Sequence, residues 1–78
     1  MPTVLRIGSY RFHFYSSDGH EPPHIHVDKD NDEAKFWLEP VSMAYNRRFR
    51  AAELANVWRM VEANRELLLR KWNEHFGK

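Results

Sequence analysis

Polar and apolar residues alternate along the first half of the chain, which is the pattern of β-strands buried on one side. The candidate strands are TVLRIG (3–8), YRFHFYS (10–16), HIHV (24–27), AKFWLEP (34–40) and VSMAY (41–45). Turn-forming residues separate them, with SDGHEPP before the third strand and DKDNDE before the fourth. This half therefore predicts a small antiparallel sheet of three to five strands over about residues 3–45.

From about residue 51 the apolar residues recur every three or four positions, which is the period of an amphipathic helix. The stripe consists of Leu54, Val57, Trp58, Val61, Leu68, Trp72 and Phe76. Asn64 and Arg65 interrupt the stripe, so the pattern allows a kink or a break near its middle. The predicted fold is α+β: a single domain over 1–78, with one long C-terminal helix, about 51–76, packed on one face of the sheet.

Alternation assigns the strand residues to two faces. The face under the helix would bury Tyr10, Phe12, Phe14, Ile25, Val27, Phe36 and Leu38. The other face would carry Arg11, His13, Tyr15, His24, His26, Lys35, Trp37 and Glu39. Three of the five histidines are thus expected on one side of the sheet, although they come from two strands. We expect this side to be open to solvent.

Composition narrows the classes of function. A chain of 78 residues without cysteine has no disulfide, no thiolate metal site and no cysteine nucleophile. The start of the chain has no signal-peptide pattern, and no apolar run is long enough to span a bilayer, so we expect a soluble cytoplasmic protein. A formal net charge of +1 means that attraction to nucleic acid would depend on local clusters of charge.

The histidines suggest two kinds of chemistry. A metal-independent ribonuclease needs a base, an acid and a cation for the phosphorane, and His13, His24, His26, Tyr15 and Lys35 could fill these roles. Alternatively, His24 and His26 are spaced so that both rings can reach one ion, with His13 as a third ligand. Zinc or another divalent transition metal would suit such a site, but no carboxylate is evident behind the rings. Apart from this alternative, no cofactor is predicted.

A binding function is the third interpretation. NRRFR (46–50) places three arginines just before the helix, where together with Arg11 or Arg59 they could contact phosphates or an acidic partner. Trp37 and Tyr15 on the uncovered face offer surfaces for stacking bases or for a protein partner. The turn DKDNDE has calcium-like acidic spacing, but Glu33 stands where a calcium loop requires glycine, so we interpret it as a hairpin turn.

Three segments resemble a family of small bacterial proteins catalogued as a domain of unknown function, number four-one-six-zero. They are MPTVLRIGSYRFHFYSSDGHEPPHIHV, AKFWLEPVSMAYN and VEANRELLLRKWNEHFG, and PPHIHV is the most specific part. The resemblance implies that His24, His26, Tyr45 and Asn46 are distinctive polar positions. Where this family commonly has a serine that caps the helix, the chain has Arg50, which cannot cap it and enlarges the arginine cluster.

The resemblance also implies a genomic setting, because family members are often encoded beside a second small protein in a pair that looks like a toxin and its antitoxin. The leading hypothesis is an interaction module, the toxin-like half of such a pair, that binds a protein partner, RNA or both. Its binding residues would be Arg11, Trp37, Tyr45, Asn46, Arg47, Arg48 and Arg50. No membrane partner is expected, and the sequence leaves a homodimer open. The ribonuclease and the metal-binding regulatory module are the alternatives.

Overall fold

The computed structural model describes residues 3–77 as an antiparallel sheet with two helices, which confirms the α+β class. The predicted domain also includes residues 1, 2 and 78, which lie outside the described part. The strands are β1 (Thr3–Ile7), β2 (Tyr10–His13), β3 (His24–Lys29), β4 (Asp32–Leu38) and β5 (Val41–Arg47). Each strand pairs with the next one along the chain, so the order across the sheet is β1-β2-β3-β4-β5.

The connections between the strands differ in length. Lys29 pairs with Asp32, so β3 and β4 are joined by a two-residue hairpin turn, as the acidic segment predicted. Asp30 in this turn has a φ of 56°, a left-handed conformation that aspartate tolerates better than most residues. The connection from β2 to β3 is longer and contains a short 3₁₀ helix, Ser16–His20. We call residues 15–21 the crossing segment.

The helical region forms two helices, α1 (Ala51–Ala63) and α2 (Arg65–Phe76), instead of one long helix. They separate at Asn64, where the sequence pattern allowed a break. The Asn64 backbone leaves the helical conformation, and Arg65 Nε donates a hydrogen bond of 2.8 Å to the carbonyl of Leu38 at the end of β4. Within residues 3–77, no helix has the length and apolar character needed to cross a bilayer.

The core lies between the apolar face of the sheet and the two helices. Of the seven strand residues predicted for it, all except Tyr10 are fully buried, and Tyr10 packs against the cluster. The helices contribute the buried side chains Val57, Val61, Leu68 and Trp72. Each large apolar side chain buried in this way contributes roughly 1.5–3 kcal/mol, which is what holds the helices on the sheet.

The strand register arranges the other face of the sheet, which we call the polar face, in rows that run across the strands. One row is Arg6, Arg11, Asp28, Glu33 and Arg47. The next row is His13, His26, Lys35 and Tyr45. A third row is His24, Trp37 and Ser42. The histidines are therefore flanked by a row that contains two carboxylates.

Candidate functional site

Three histidine rings meet on the polar face. His13 of β2 pairs with His26 of β3, and their rings stack with centroids 5.5 Å apart. His24 lies two residues before His26 on the same strand, with its ring edge-on to that of His26 at 5.1 Å. The structure therefore brings together the three histidines that alternation assigned to one side.

This part of the polar face is not open to solvent, so that expectation is wrong. His13, His24 and His26 are 1 %, 0 % and 4 % exposed. The crossing segment covers them, with the Tyr15 ring edge-on to His13 and His26 at 5.2 and 4.6 Å. Trp72 of α2 lies against the His24 ring at 5.0 Å. An RNA strand cannot touch these rings unless the crossing segment moves away.

Asp18 of the crossing segment lies at the centre of the cluster. Its Oδ2 is 3.0 Å from His24 Nε2 and 3.1 Å from His26 Nε2. The backbone N–H of Tyr15 donates a hydrogen bond of 2.8 Å to the same oxygen. Burial by itself would raise the pKa of Asp18, but the Tyr15 hydrogen bond and the two imidazoles outweigh it and lower this pKa. Asp18 is therefore an ionised carboxylate at neutral pH.

The other ring nitrogen of His24 faces the backbone. Its Nδ1 lies 3.0 Å from the carbonyl oxygen of Pro22, which can only accept a hydrogen bond, so Nδ1 carries a proton. Glu21 Oε1 lies further away, at 3.6 Å from the same nitrogen. This arrangement directs Nε2 of His24 towards Asp18 and fixes the orientation of the ring.

The second nitrogen of His26 faces a tyrosine and a glutamate. Its Nδ1 is 3.5 Å from both Glu33 Oε2 and the Tyr45 hydroxyl, which also donates to Glu33 at 3.2 Å. Burial lowers the pKa of His26, with Asp18 opposing this shift. Burial and Glu33 raise the pKa of Tyr45 to about 12, so this phenol remains protonated at neutral pH and does not act as a base.

His13 belongs to a separate pair. Its Nε2 lies 2.8 Å from Asp28 Oδ1, and Asp28 also accepts hydrogen bonds from Arg11 at 3.3 and 3.4 Å. Burial lowers the pKa of His13, although the Asp28 charge acts in the opposite direction. His13 therefore does not share an oxygen with His24 and His26, and the donor atoms that lie together are those of Asp18, His24 and His26.

Two further predicted side chains have structural partners. Lys35 Nζ forms an ion pair of 2.6 Å with Glu21 and lies 4.6 Å above the Trp37 ring, so the proposed cation for a phosphorane is already neutralised. The Asn46 side chain bonds both the carbonyl and the N–H of Phe49, at 2.9 and 3.2 Å, and thereby shapes the turn before α1. Trp37 is half-buried.

The predicted arginine cluster is on the surface. Arg47, Arg48 and Arg50 are all exposed, and the Arg47 side chain keeps 72 % of its surface accessible. Arg47 lies 3.9 Å from Glu33 and above the Tyr45 ring. Within residues 3–77, no carboxylate lies within 4 Å of Arg48 or Arg50. We call Arg47, Arg48 and Arg50 the basic corner.

Sequence reasoning missed the carboxylates. Asp28 continues the alternation of His24 and His26, and Glu33 continues that of Lys35 and Trp37, so both could have been placed on the polar face. Asp18 carries no such signal, because it lies in a connection whose path depends on tertiary packing.

The fold and site thus define a small α+β domain with a buried cluster of histidines and carboxylates on one face of its sheet. Residues 9–73 match the family model described as Domain of unknown function (DUF4160), and the chain belongs to this family. The matched range contains the crossing segment, the three histidines and the basic corner. No curated protein and no solved structure matches the chain.

Proposed function

We propose that this chain is a small RNA-binding module, the toxin-like half of a two-gene pair, and that the basic corner contacts RNA phosphates. The observation that carries the proposal is the exposure of three arginines within four residues, two of them without a nearby carboxylate in residues 3–77. Because a guanidinium binds phosphate oxygens through two parallel hydrogen bonds, such a cluster suits a phosphate backbone.

The start of α1 adds to this positive surface. Arg50 is the N-cap of α1 and makes no side-chain cap hydrogen bond, and Ala51 and Ala52 are exposed. The first backbone N–H groups of the helix therefore lack a side-chain cap, and they carry the positive end of the helix dipole. The nearest acid in this turn, Glu53, is paired with Lys29 at 2.8 Å and does not neutralise the arginines.

Burial of the histidines supports a contact at the basic corner and argues against one at the rings. A ribonuclease using His13, His24 and His26 would need substrate at rings that are almost fully buried. Binding at the basic corner requires no rearrangement of the crossing segment. The family resemblance supports a role in a two-gene pair with a protein partner encoded nearby, because it implies that members are often encoded beside a second small protein. The cytoplasmic location stays a prediction from sequence.

The test compares salt dependence of binding between two variants of equal charge. We expect a plot of the logarithm of the RNA affinity against the logarithm of the salt concentration to have a slope of about −0.7 per phosphate contact for single-stranded RNA. Changing Arg47, Arg48 and Arg50 to Gln should reduce the magnitude of this slope by about 2, since three contacts are lost. The control changes Arg6, Arg70 and Lys71 to Gln, three accessible cationic side chains elsewhere, and should leave the slope near that of the unmodified protein.

Equal slopes for the two triple variants would contradict the proposal, because they would show that only net charge matters. Binding of an acidic protein but not of RNA would also contradict it and would favour the protein partner alone. If the protein inhibits growth when overexpressed, the variant of the basic corner should relieve the inhibition and the control should not.

A further inference from the structure

We propose that Asp18, His24 and His26 form a binding site for a divalent transition-metal ion, with Zn²⁺ as the best-suited ion. The inference is independent of RNA binding, because it depends on a different part of the polar face. The ligand set also differs from the three histidines that the sequence suggested, since a carboxylate from the crossing segment takes the place of His13.

The spacing of the three donor atoms fits one ion. One donor atom each of Asp18, His24 and His26 lie within 4.8 Å of one another. Asp18 Oδ2 is 3.0 Å from His24 Nε2 and 3.1 Å from His26 Nε2. Ligands about 2.0–2.2 Å from a tetrahedral zinc ion are roughly 3.4 Å apart. The two separations from Asp18 would therefore need to widen only by a few tenths of an ångström to place an ion between the donors, which is within the reach of small χ-angle changes.

His24 supplies a second, independent observation. Its Nε2 is buried, and within residues 3–77 no hydrogen-bonding group is correctly directed at it, although Asp18 Oδ2 is close. Nδ1 of His24 donates its proton to the carbonyl of Pro22, so Nε2 is the ring nitrogen left to bind an ion. A cation between Nε2 and the Asp18 oxygen would give this buried nitrogen the directed partner that it lacks.

The surrounding groups hold the donors as metal sites usually do. A ligating histidine normally donates its second N–H to a carbonyl or a carboxylate, which fixes the ring and makes it a better ligand. For His24 this partner is the carbonyl of Pro22, and for His26 the nearest groups are Glu33 and the hydroxyl of Tyr45. The backbone N–H of Tyr15 fixes the Asp18 oxygen.

The donor types select the ion. Two imidazoles and one carboxylate suit zinc and its neighbours in the first transition row, whereas calcium and magnesium prefer sites made of oxygen alone. Three protein ligands leave a fourth position for water, and the Asp18 side chain, 13 % exposed, lies on the solvent side of the cluster. An ion here would link the crossing segment to β3 and would hold this segment in place over the histidines.

The test titrates Zn²⁺ and Co²⁺ into protein dialysed against a chelator. We expect one ion per chain, a Kd in the micromolar range or below, and visible Co²⁺ absorption bands typical of a low-coordinate site. Asp18→Asn keeps both rings and should weaken Zn²⁺ binding by on the order of 100-fold or more. Glu33→Gln keeps all three ligands and alters a group behind His26, so it should weaken binding by about 10–100-fold.

Matched controls use the two exposed histidines and an acidic residue of the hairpin turn. His20→Ala, His75→Ala and Asp30→Asn remove surface groups and should leave the affinity unchanged. His24→Ala and His26→Ala should abolish binding, but these rings are buried, so folding must be checked by circular dichroism. If either variant fails to fold, Asp18→Asn decides the question. Lack of stoichiometric binding, or equal affinity in Asp18→Asn and the unmodified protein, would overturn the proposal.

Discussion

The contact between the crossing segment and α2 gives the sharpest structural prediction. Gly19, next to Asp18, lies so close to Phe76 that a Cβ added to it would be 2.8 Å from Phe76 Cδ1 and 3.3 Å from Cε1. The backbone of Gly19 does not have a positive φ, so alanine is conformationally acceptable there. The change Gly19→Ala therefore tests a steric contact alone.

The cost follows from how firmly the Phe76 ring is held. Carbon atoms prefer separations of about 3.5–4.0 Å, so the added methyl group overlaps the ring by about 0.7 Å. The ring cannot simply turn away, since Trp72 packs against it with centroids 4.2 Å apart. Such overpacking destabilises the folded protein by about 1–3 kcal/mol. Replacing glycine also makes the unfolded chain less flexible, which stabilises the folded protein by about 0.4–1 kcal/mol. We expect a net destabilisation of about 1–2 kcal/mol.

Urea unfolding of four proteins measures this contact as a double-mutant cycle. The proteins are the unmodified chain, Gly19→Ala, Phe76→Ala and the double variant. When Phe76 is already alanine, the methyl group at residue 19 meets no ring, so the second change should be neutral or slightly stabilising. The glycine contribution cancels between the two backgrounds, so the coupling energy should equal the steric cost of about 1–3 kcal/mol. Ser17→Ala, at an exposed position of the crossing segment, is the control and should be nearly neutral.

A neutral or stabilising Gly19→Ala together with a coupling energy near zero would refute the reasoning. It would mean that the crossing segment does not rest on α2 in solution. Because Asp18 is the next residue, a segment displaced by the methyl group should also bind Zn²⁺ more weakly than the Ser17→Ala control. If Gly19→Ala weakens Zn²⁺ binding without lowering stability, the crossing segment moves away from the Phe76 ring and avoids the steric overlap.

Two further predictions concern the turn before α1 and the buried rings. Asn46→Ala removes both hydrogen bonds to Phe49 and should lower the free energy of unfolding by about 1–3 kcal/mol in urea titrations, because the Phe49 backbone groups lose their partner. Burial lowers the pKa values of His13 and His26 below 6.5, so the unfolded chain binds more protons than the folded one as the pH falls through this value. The free energy of unfolding should therefore be highest above about pH 6.5 and should fall at lower pH until the folded-state pKa values are passed. His13→Gln removes one of these groups, so its urea midpoint should depend less on pH between 7.5 and 5.5.

Each of these predictions has a clear contrary result. An Asn46→Asp variant keeps the acceptor for the Phe49 N–H and loses the donor, so it should lie between the unmodified protein and Asn46→Ala; equal stability of all three would contradict the role of the turn. For the histidines, a urea midpoint that is the same at pH 7.5 and 5.5, or that rises on acidification, would show that the rings are not held in a neutral, buried state.

The sheet and its core were predictable because one physical rule determines them. Alternation in a strand places every second side chain on the same face, and large apolar residues at those positions have to be buried. The same reasoning identified the helical stripe and the interruption at Asn64. It did not determine that the interruption would divide the region into two helices, because this depends on the contact of Arg65 with the end of β4.

Only the part of the candidate site that lies on strands was predictable, because the other part comes from a connection between strands. The positions of His13, His24 and His26 follow from two strands and their register. Asp18 reaches them from a connection, and no periodic rule describes the path of a connection. The short 3₁₀ helix of this segment is held by contacts that are far apart in sequence, such as Gly19 against Phe76.

The sequence nevertheless contains information on how buried histidine rings could be satisfied. A buried imidazole needs hydrogen-bond partners, since an unpaired buried polar group costs several kcal/mol. On the strands, alternation offers Asp28 for His13 and Glu33 for His26, but it offers His24 no acidic neighbour. The carbonyl of Pro22 bonds one ring nitrogen of His24, so a chain that buries this ring must bring a partner for the other nitrogen from outside the sheet. Asp18 brings a carboxylate to this nitrogen, and because its geometry leaves His24 Nε2 without a directed hydrogen bond, the same requirement points to the proposed ion.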